Sequence, residues 1–151
     1  MNAPVGRRAQ RQCGNAMVEF ALTASILFPC LLGVFQFGYG FYVYNRLIAV
    51  VRDGARYASL RAYDSNNPNP SSTYLTAVRN EVVYGNPAGG TQPLVAGLAP
   101  GNVSVSVTMN NGIPDMVTVY INQFTLDTAT KTFQLSGKPS ASFRYEGRYA
   151  P

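Results

Sequence analysis

Glu19 is the ionisable side chain whose position has the clearest chemical consequence. It stands immediately before residues 20–45, a run of 26 residues without a charge. An unpaired carboxylate at membrane depth is costly, and intramembrane carboxylates are often functional. The plain alternative is a carboxylate that reaches the lipid headgroups. Other chemistry is sparse. There is no histidine, which excludes Ser-His-Asp and Cys-His nucleophile systems. Cys13 precedes the apolar run and Cys30 lies inside it, so the pair suggests neither a disulfide framework nor a zinc site. Arg11 and Gln12 before Cys13 are unlike a lipidation signal. Glu81, Asp115, Asp127 and Glu146 are scattered, with no spacing that marks a carboxylate pair. Gly89 and Gly90 have no following lysine to make a phosphate loop. No catalytic residue, metal ligand or cofactor site is therefore nominated, and the chain is read as a non-enzyme.

The elements that hold Glu19 follow from the charge distribution. The chain has 151 residues, of which 13% are charged, about half the usual share. The deficit is concentrated in residues 20–45. Twelve basic against seven acidic residues give +5, and Arg7, Arg8 and Arg11 supply three of those positives. The remainder carries no basic face with interleaved aromatics, so no nucleic-acid partner is expected. As a helix the run extends ~39 Å, longer than the ~30 Å hydrocarbon core. It lacks the early stop and small-residue cleavage site of a secretory signal, so it reads as a helix spanning a lipid bilayer. Pro29 interrupts it and would bend or loosen the helix. Gly33, Gly38 and Gly40 would allow close helix approach. Tyr39, Tyr42 and Tyr44 suit an interfacial belt.

Helical periodicity continues past the run. Leu47, Val51, Ala55, Ala58 and Ala62 form an apolar stripe, and Asp53 and Arg56 are spaced for an i,i+3 pair. One helix is predicted from about residue 16 to 63.

Three segments in order resemble one family. They are Val18-Glu19-Phe20-Ala21-Leu22, then Pro29 with Leu31-Leu32-Gly33-Val34-Phe35-Gln36-Phe37-Gly38, then Arg52-Asp53-Gly54-Ala55-Arg56-Tyr57-Ala58. Together they resemble the TadE-like domain of Tad (tight adherence) pili over about residues 14–60. Asp53 stands where the family usually has Glu. The resemblance implies a pseudopilin, or minor pilin, of the type IV pilus superfamily. It implies a basic leader of residues 1–14 removed by a prepilin peptidase, which cuts after a glycine five residues before a glutamate. Gly14 and Glu19 fit that rule, leaving Asn15 as the new amino terminus. It further implies that Glu19, beside Phe20, sets the register between pilin subunits. The implied partners are the peptidase, other pilins and pseudopilins, and an inner-membrane assembly platform. The implied location is the bacterial inner membrane, amino terminus cytoplasmic and head periplasmic, with possible passage into an extracellular adhesive pilus.

After a helix spanning residues 15–64, residues 65–72 read as a polar linker with two prolines. Residues 73–151 are the expected head. A helix is predicted over residues 73–84 with Leu75, Val78 and Val82 inward. An irregular loop follows over residues 85–101. Val103, Val105, Val107 and Met109 alternate with Ser and Thr, as do Val117, Val119 and Ile121 with polar residues, which predicts strands. Asn110-Asn111-Gly112 marks a turn, lengthened by Pro114. Phe133 and Leu135, then Ala141, Phe143 and Tyr145, suggest further strands. The fold class is α+β: a long amino-terminal helix, then a head with a short helix and a three- or four-stranded antiparallel sheet. The alternative function is a membrane-anchored periplasmic binding or adaptor protein that never joins a filament.

Overall fold

The computed structural model describes residues 6–128 and 132–150, with side chains from Gly14 onward. The expected leader, residues 1–14, therefore lies mostly outside the described residues: its first five positions altogether, and the side chains of Arg7, Arg8 and Arg11. The chain divides into two compact units, residues 1–39 and residues 40–151.

Helix α1 runs from Gly6 to Leu60 with Pro29 inside it. It begins earlier than the predicted residue 16, because the residues around Arg7, Arg8 and Arg11 are mostly good helix formers. Within the first unit its large apolar side chains, from Met17 and Phe20 through Phe28 to Phe35 and Phe37, are exposed. The helix is long and apolar enough to cross a membrane.

In the second unit the same helix becomes the spine of the head. Val43, Leu47, Val50, Val51, Ala55 and Ala58 recur at three- and four-residue spacing and are all buried. Val43 belongs to the expected membrane run, yet it is part of the head's core. Ala62, expected on the stripe, is exposed because the helix has already ended at Leu60. Helix α2 (Ser72–Tyr84) is capped by the Ser71 side chain, which accepts from Tyr74 N, and ends at Gly85 with φ 68°. Its buried face is Tyr74, Ala77, Val78, Val82 and Val83. Leu75, expected inward, is half-buried, since Tyr74 takes the central place.

The strands are β1 (Val103–Asn110), β2 (Ile113–Ile121), β3 (Phe124–Asp127), β4 (Thr132–Leu135) and β5 (Ser140–Arg144). They form a three-stranded antiparallel sheet in the order β1-β2-β5 and a separate antiparallel pair, β3-β4. The fold class is α+β, as expected, with the strands shared between two sheets. Val103, Val107, Val117, Val119 and Ile121 point into the core. Thr118 and Ser142 sit opposite one another on the solvated side, their hydroxyls 2.8 Å apart.

The β1-β2 turn corrects one expectation. Asn110 pairs with Ile113, so the loop has two residues, Asn111 (φ 52°) and Gly112 (φ 79°), and Pro114 does not lengthen it. Two consecutive left-handed residues give the hairpin twist that matches paired strands. Pro114 is tolerated because the register shifts beside it: Met109 faces Pro114 while Thr108 faces Met116, leaving Asp115 as a bulge.

The chain's final residues close over the end of α1. A helix terminus leaves its last carbonyls without helical partners. Here Ala58 O accepts from the Tyr74 hydroxyl, Ser59 O from Glu146 N (3.0 Å), and Arg61 O from the Tyr145 hydroxyl (3.0 Å). Tyr63 pairs in parallel with Tyr149, donating to Arg148 O and accepting from Ala150 N, both at 3.0 Å. This pairing is what ends the helix short of the predicted residue 63. The Tyr63 ring meets Tyr74 edge-on at 5.3 Å and stacks on Tyr149 at 6.4 Å.

Burial, as the leading cause, raises the phenol pKa values of Tyr63, Tyr74 and Tyr145. Below about pH 10 unfolded phenols are neutral as well, so the cluster's contribution is fully present. Above it the unfolded chain ionises first, and stability falls as pH climbs through the raised folded values. Chemical denaturation midpoints should therefore drop on the alkaline side of pH ~10. Tyr74→Phe should destabilise the head by about 1–3 kcal/mol at neutral pH, through the orphaned Ala58 carbonyl. It should also flatten the alkaline decline. An unchanged alkaline slope in Tyr74→Phe would remove this cluster as its source.

Candidate functional site: two stretches of one helix

The residues singled out by sequence lie on α1, in two stretches belonging to different units. In the first, Gly14, Asn15, Glu19 and Phe20 are all exposed. Nothing approaches within 4 Å of the position a Gly14 Cβ would take. Asn15 and Glu19 are four residues apart and so share a helix face one turn apart. Among the described residues the Glu19 carboxylate has no ion pair or hydrogen bond. Its backbone carbonyl accepts from Thr23 Oγ1 at 2.9 Å, and Ser25 Oγ donates to Leu22 O at 2.8 Å. Both hydroxyls are therefore turned onto their own helix, which lets small polar residues sit in an apolar run without free donors. Pro29 lies inside the continuous helix and cannot donate to the Ser25 carbonyl.

The second stretch sorts by side. Arg52, Asp53 and Arg56 are exposed, whereas Gly54 and Ala55 are buried. Tyr57 is half-buried, and the Arg61 guanidinium lies over its ring at 5.7 Å and donates to its hydroxyl. The expected Asp53–Arg56 pair does not form within ion-pair distance. The ion pair found among the described residues joins Arg144 Nε to Asp115 Oδ1 at 3.8 Å, well exposed. Asp53 instead lies near Glu81 of α2. Burial and then the Asp53 charge push the Glu81 carboxyl up. Gly54 is where α1 and α2 touch: a Cβ there would lie 2.1 Å from Val82 Cγ2. The glycine is required by that approach.

Several contributors escaped sequence reasoning. Val82 is visible as an apolar helix position, but its contact with Gly54 is non-local. Tyr145 reads in sequence as a strand residue, whereas it lies just beyond β5 and its hydroxyl caps the end of α1; Gly147 carries no sequence signal. A Cβ at Gly147 would lie 2.6 Å from the Arg61 carbonyl oxygen and 2.9 Å from that of Leu60. Gly147→Ala is accordingly expected to loosen the carboxyl-terminal closure. Amide hydrogen exchange should read this as faster exchange at Tyr63, Glu146 and Ala150, with β1 and β2 unaffected.

Among the described residues no cluster of three or more His, Cys, Asp or Glu could hold a metal ion. What the site offers is surface: an exposed apolar helix bearing one carboxylate near its start, continued as the spine of an α+β head. Residues 14–56 match the model of the TadE-like protein family. The match runs from Gly14 to Arg56 and takes in Glu19, Pro29 and the motif from Arg52 to Arg56, so the family resemblance holds over that segment and stops short of Tyr57 and Ala58. No curated protein and no solved structure matches the chain.

Proposed function

We propose that the chain is a minor pilin or pseudopilin of a Tad-type pilus or related secretion filament, structural in role and without catalysis. A prepilin peptidase removes residues 1–14, and the mature subunit starts at Asn15. Its apolar helix waits in the inner membrane, with the head periplasmic. It then packs among the helices of other pilins on the assembly platform. The observation that carries the reading is the TadE-like match beginning at Gly14, five residues before Glu19. The exposure of the large apolar side chains from Met17 to Phe41 supports it, because such a surface needs lipid or other helices around it.

Intact mass of the membrane-extracted protein tests the proposal. In cells containing the peptidase, the wild type should lack the first fourteen residues. Gly14→Leu should retain them, because bulk at that position obstructs the peptidase. A full-length wild type would refute processing and favour a plain membrane anchor. A phosphatase fused after Pro151 should be active. An inactive fusion, with a cytoplasmic reporter active at the same place, would reverse the orientation.

A further inference from the structure

We infer that the head rests on the membrane through the loop of residues 85–99, with Leu94 reaching into the lipid headgroup layer. The inference depends on the reading of the apolar run as a membrane span, and its partner is the lipid surface itself. The burial of Val43 and Leu47 in the head's core places the outer end of the span near Tyr42. Residues 20–42 are about 35 Å of helix, close to the ~30 Å hydrocarbon thickness.

Arg46 is the first charged residue after that end, and it lies one turn beyond Tyr42 on the same helix face. Its Nη2 donates to Leu94 O at 3.2 Å. Leu94 N in turn donates to Val83 O at 2.7 Å. Both backbone groups of Leu94 are thus held, and Val95 and Leu98 of the same loop are buried in the core. Leu94 remains 42% exposed, and Tyr42, one turn before Arg46, is 62% exposed. Tyrosine at the interface and an arginine reaching from just beyond the apolar zone are what a headgroup layer selects. No charged residue occurs anywhere in residues 82–114, so seating this loop against lipid dehydrates no ion. The β1-β2 turn, by contrast, lies at the end of the sheet where Asp115 O accepts from Tyr145 N, beside the far end of α1.

The test is depth measurement on the full chain in phospholipid vesicles. An environment-sensitive fluorophore is placed by Leu94→Cys, Phe35→Cys or Asn111→Cys, each in a background with Cys13→Ala and Cys30→Ala. Quenching is compared for nitroxides at the headgroup and near the acyl-chain end. The expected result is loss of Leu94-site fluorescence with the headgroup quencher, loss at the Phe35 site with the chain-end quencher, and no loss at the Asn111 site. Arg46→Ala should reduce quenching at the Leu94 site and leave the Phe35 site unchanged. A deep Phe35 site with an unquenched Leu94 site would overturn the inference while leaving the span intact. Equal headgroup quenching at Leu94 and Asn111 would also overturn it. An unquenched Phe35 site would overturn the membrane reading and the inference together.

Discussion

Gly54→Leu is expected to abolish the folded head. A single Cβ at this position would sit 2.1 Å from Val82 Cγ2, far inside contact distance. Leucine adds three more carbons at a place where α1 and α2 are already in contact. Overpacking of this kind typically costs about 1–3 kcal/mol when a core can yield, and more when it cannot. A domain of this size has only about 5–15 kcal/mol in total. Gly54→Ala is the sharper experiment. Alanine favours helix over glycine by about 1 kcal/mol, so a stabilised protein would mean that the helices move apart freely. The clash should win, giving a net loss of about 1–3 kcal/mol. Val82→Ala removes the offending methyl and leaves the nearest remaining Val82 atom, Cβ, at 3.4 Å. The double variant Gly54→Ala with Val82→Ala should therefore be more stable than the sum of the single changes predicts, because the two sites are coupled. Thermal unfolding followed by near-ultraviolet circular dichroism reads all four forms. Additive single effects would show that this contact does not govern the packing.

Glu19→Ala is expected to leave insertion and leader removal intact and to stop assembly. If the leader is removed as proposed, the amine of Asn15 would be a cation one helical turn from Glu19. The spacing allows a pair within one chain, and in a filament the amine of a neighbouring subunit can serve the same carboxylate. A charge-assisted bond of this type changes an association constant by roughly tenfold or more, and the loss recurs at each subunit that uses it. Crosslinking between partner pilins in the membrane, with counts of surface pili, measures the outcome. Crosslinking and piliation equal to wild type would make Glu19 an interfacial residue or a peptidase recognition element, without a role in register.

Legibility differed by element for physical reasons. α1 and α2 were visible because their apolar residues recur every three or four positions, and β1 and β2 because Val and Ile alternate with hydroxyl residues. β3 offers only Phe124 and Leu126 as an alternating pair, after Gln123 in a left-handed conformation, and was missed. The Asn111-Gly112 pair marks the turn in sequence, but Pro114 points to a longer loop than the two residues that form. A proline's effect there depends on a bulge that only the pairing of two strands creates. In the candidate site, the spacing from Gly14 to Glu19 had meaning only through a family resemblance. The importance of Gly54 resides in Val82, a residue of another helix. Contacts made across long separations leave little trace in local patterns.

The way the chain's last residues cover the end of α1 also sets an order of events. Ser59 O waits for Glu146 N, and the edge of β2 waits for β5. These pairings join residues far apart in sequence, and such contacts form slowly because long loops must close first. α1 needs only local hydrogen bonds to form, whereas the head cannot lock until residues 140–150 have joined it. A nascent chain stalled before β5 would present the valine face of β2 with an open edge, a substrate for proteases or chaperones. Completion of the head thus waits on residues 140–150, which supply β5 and the partners of Ser59 and Tyr63.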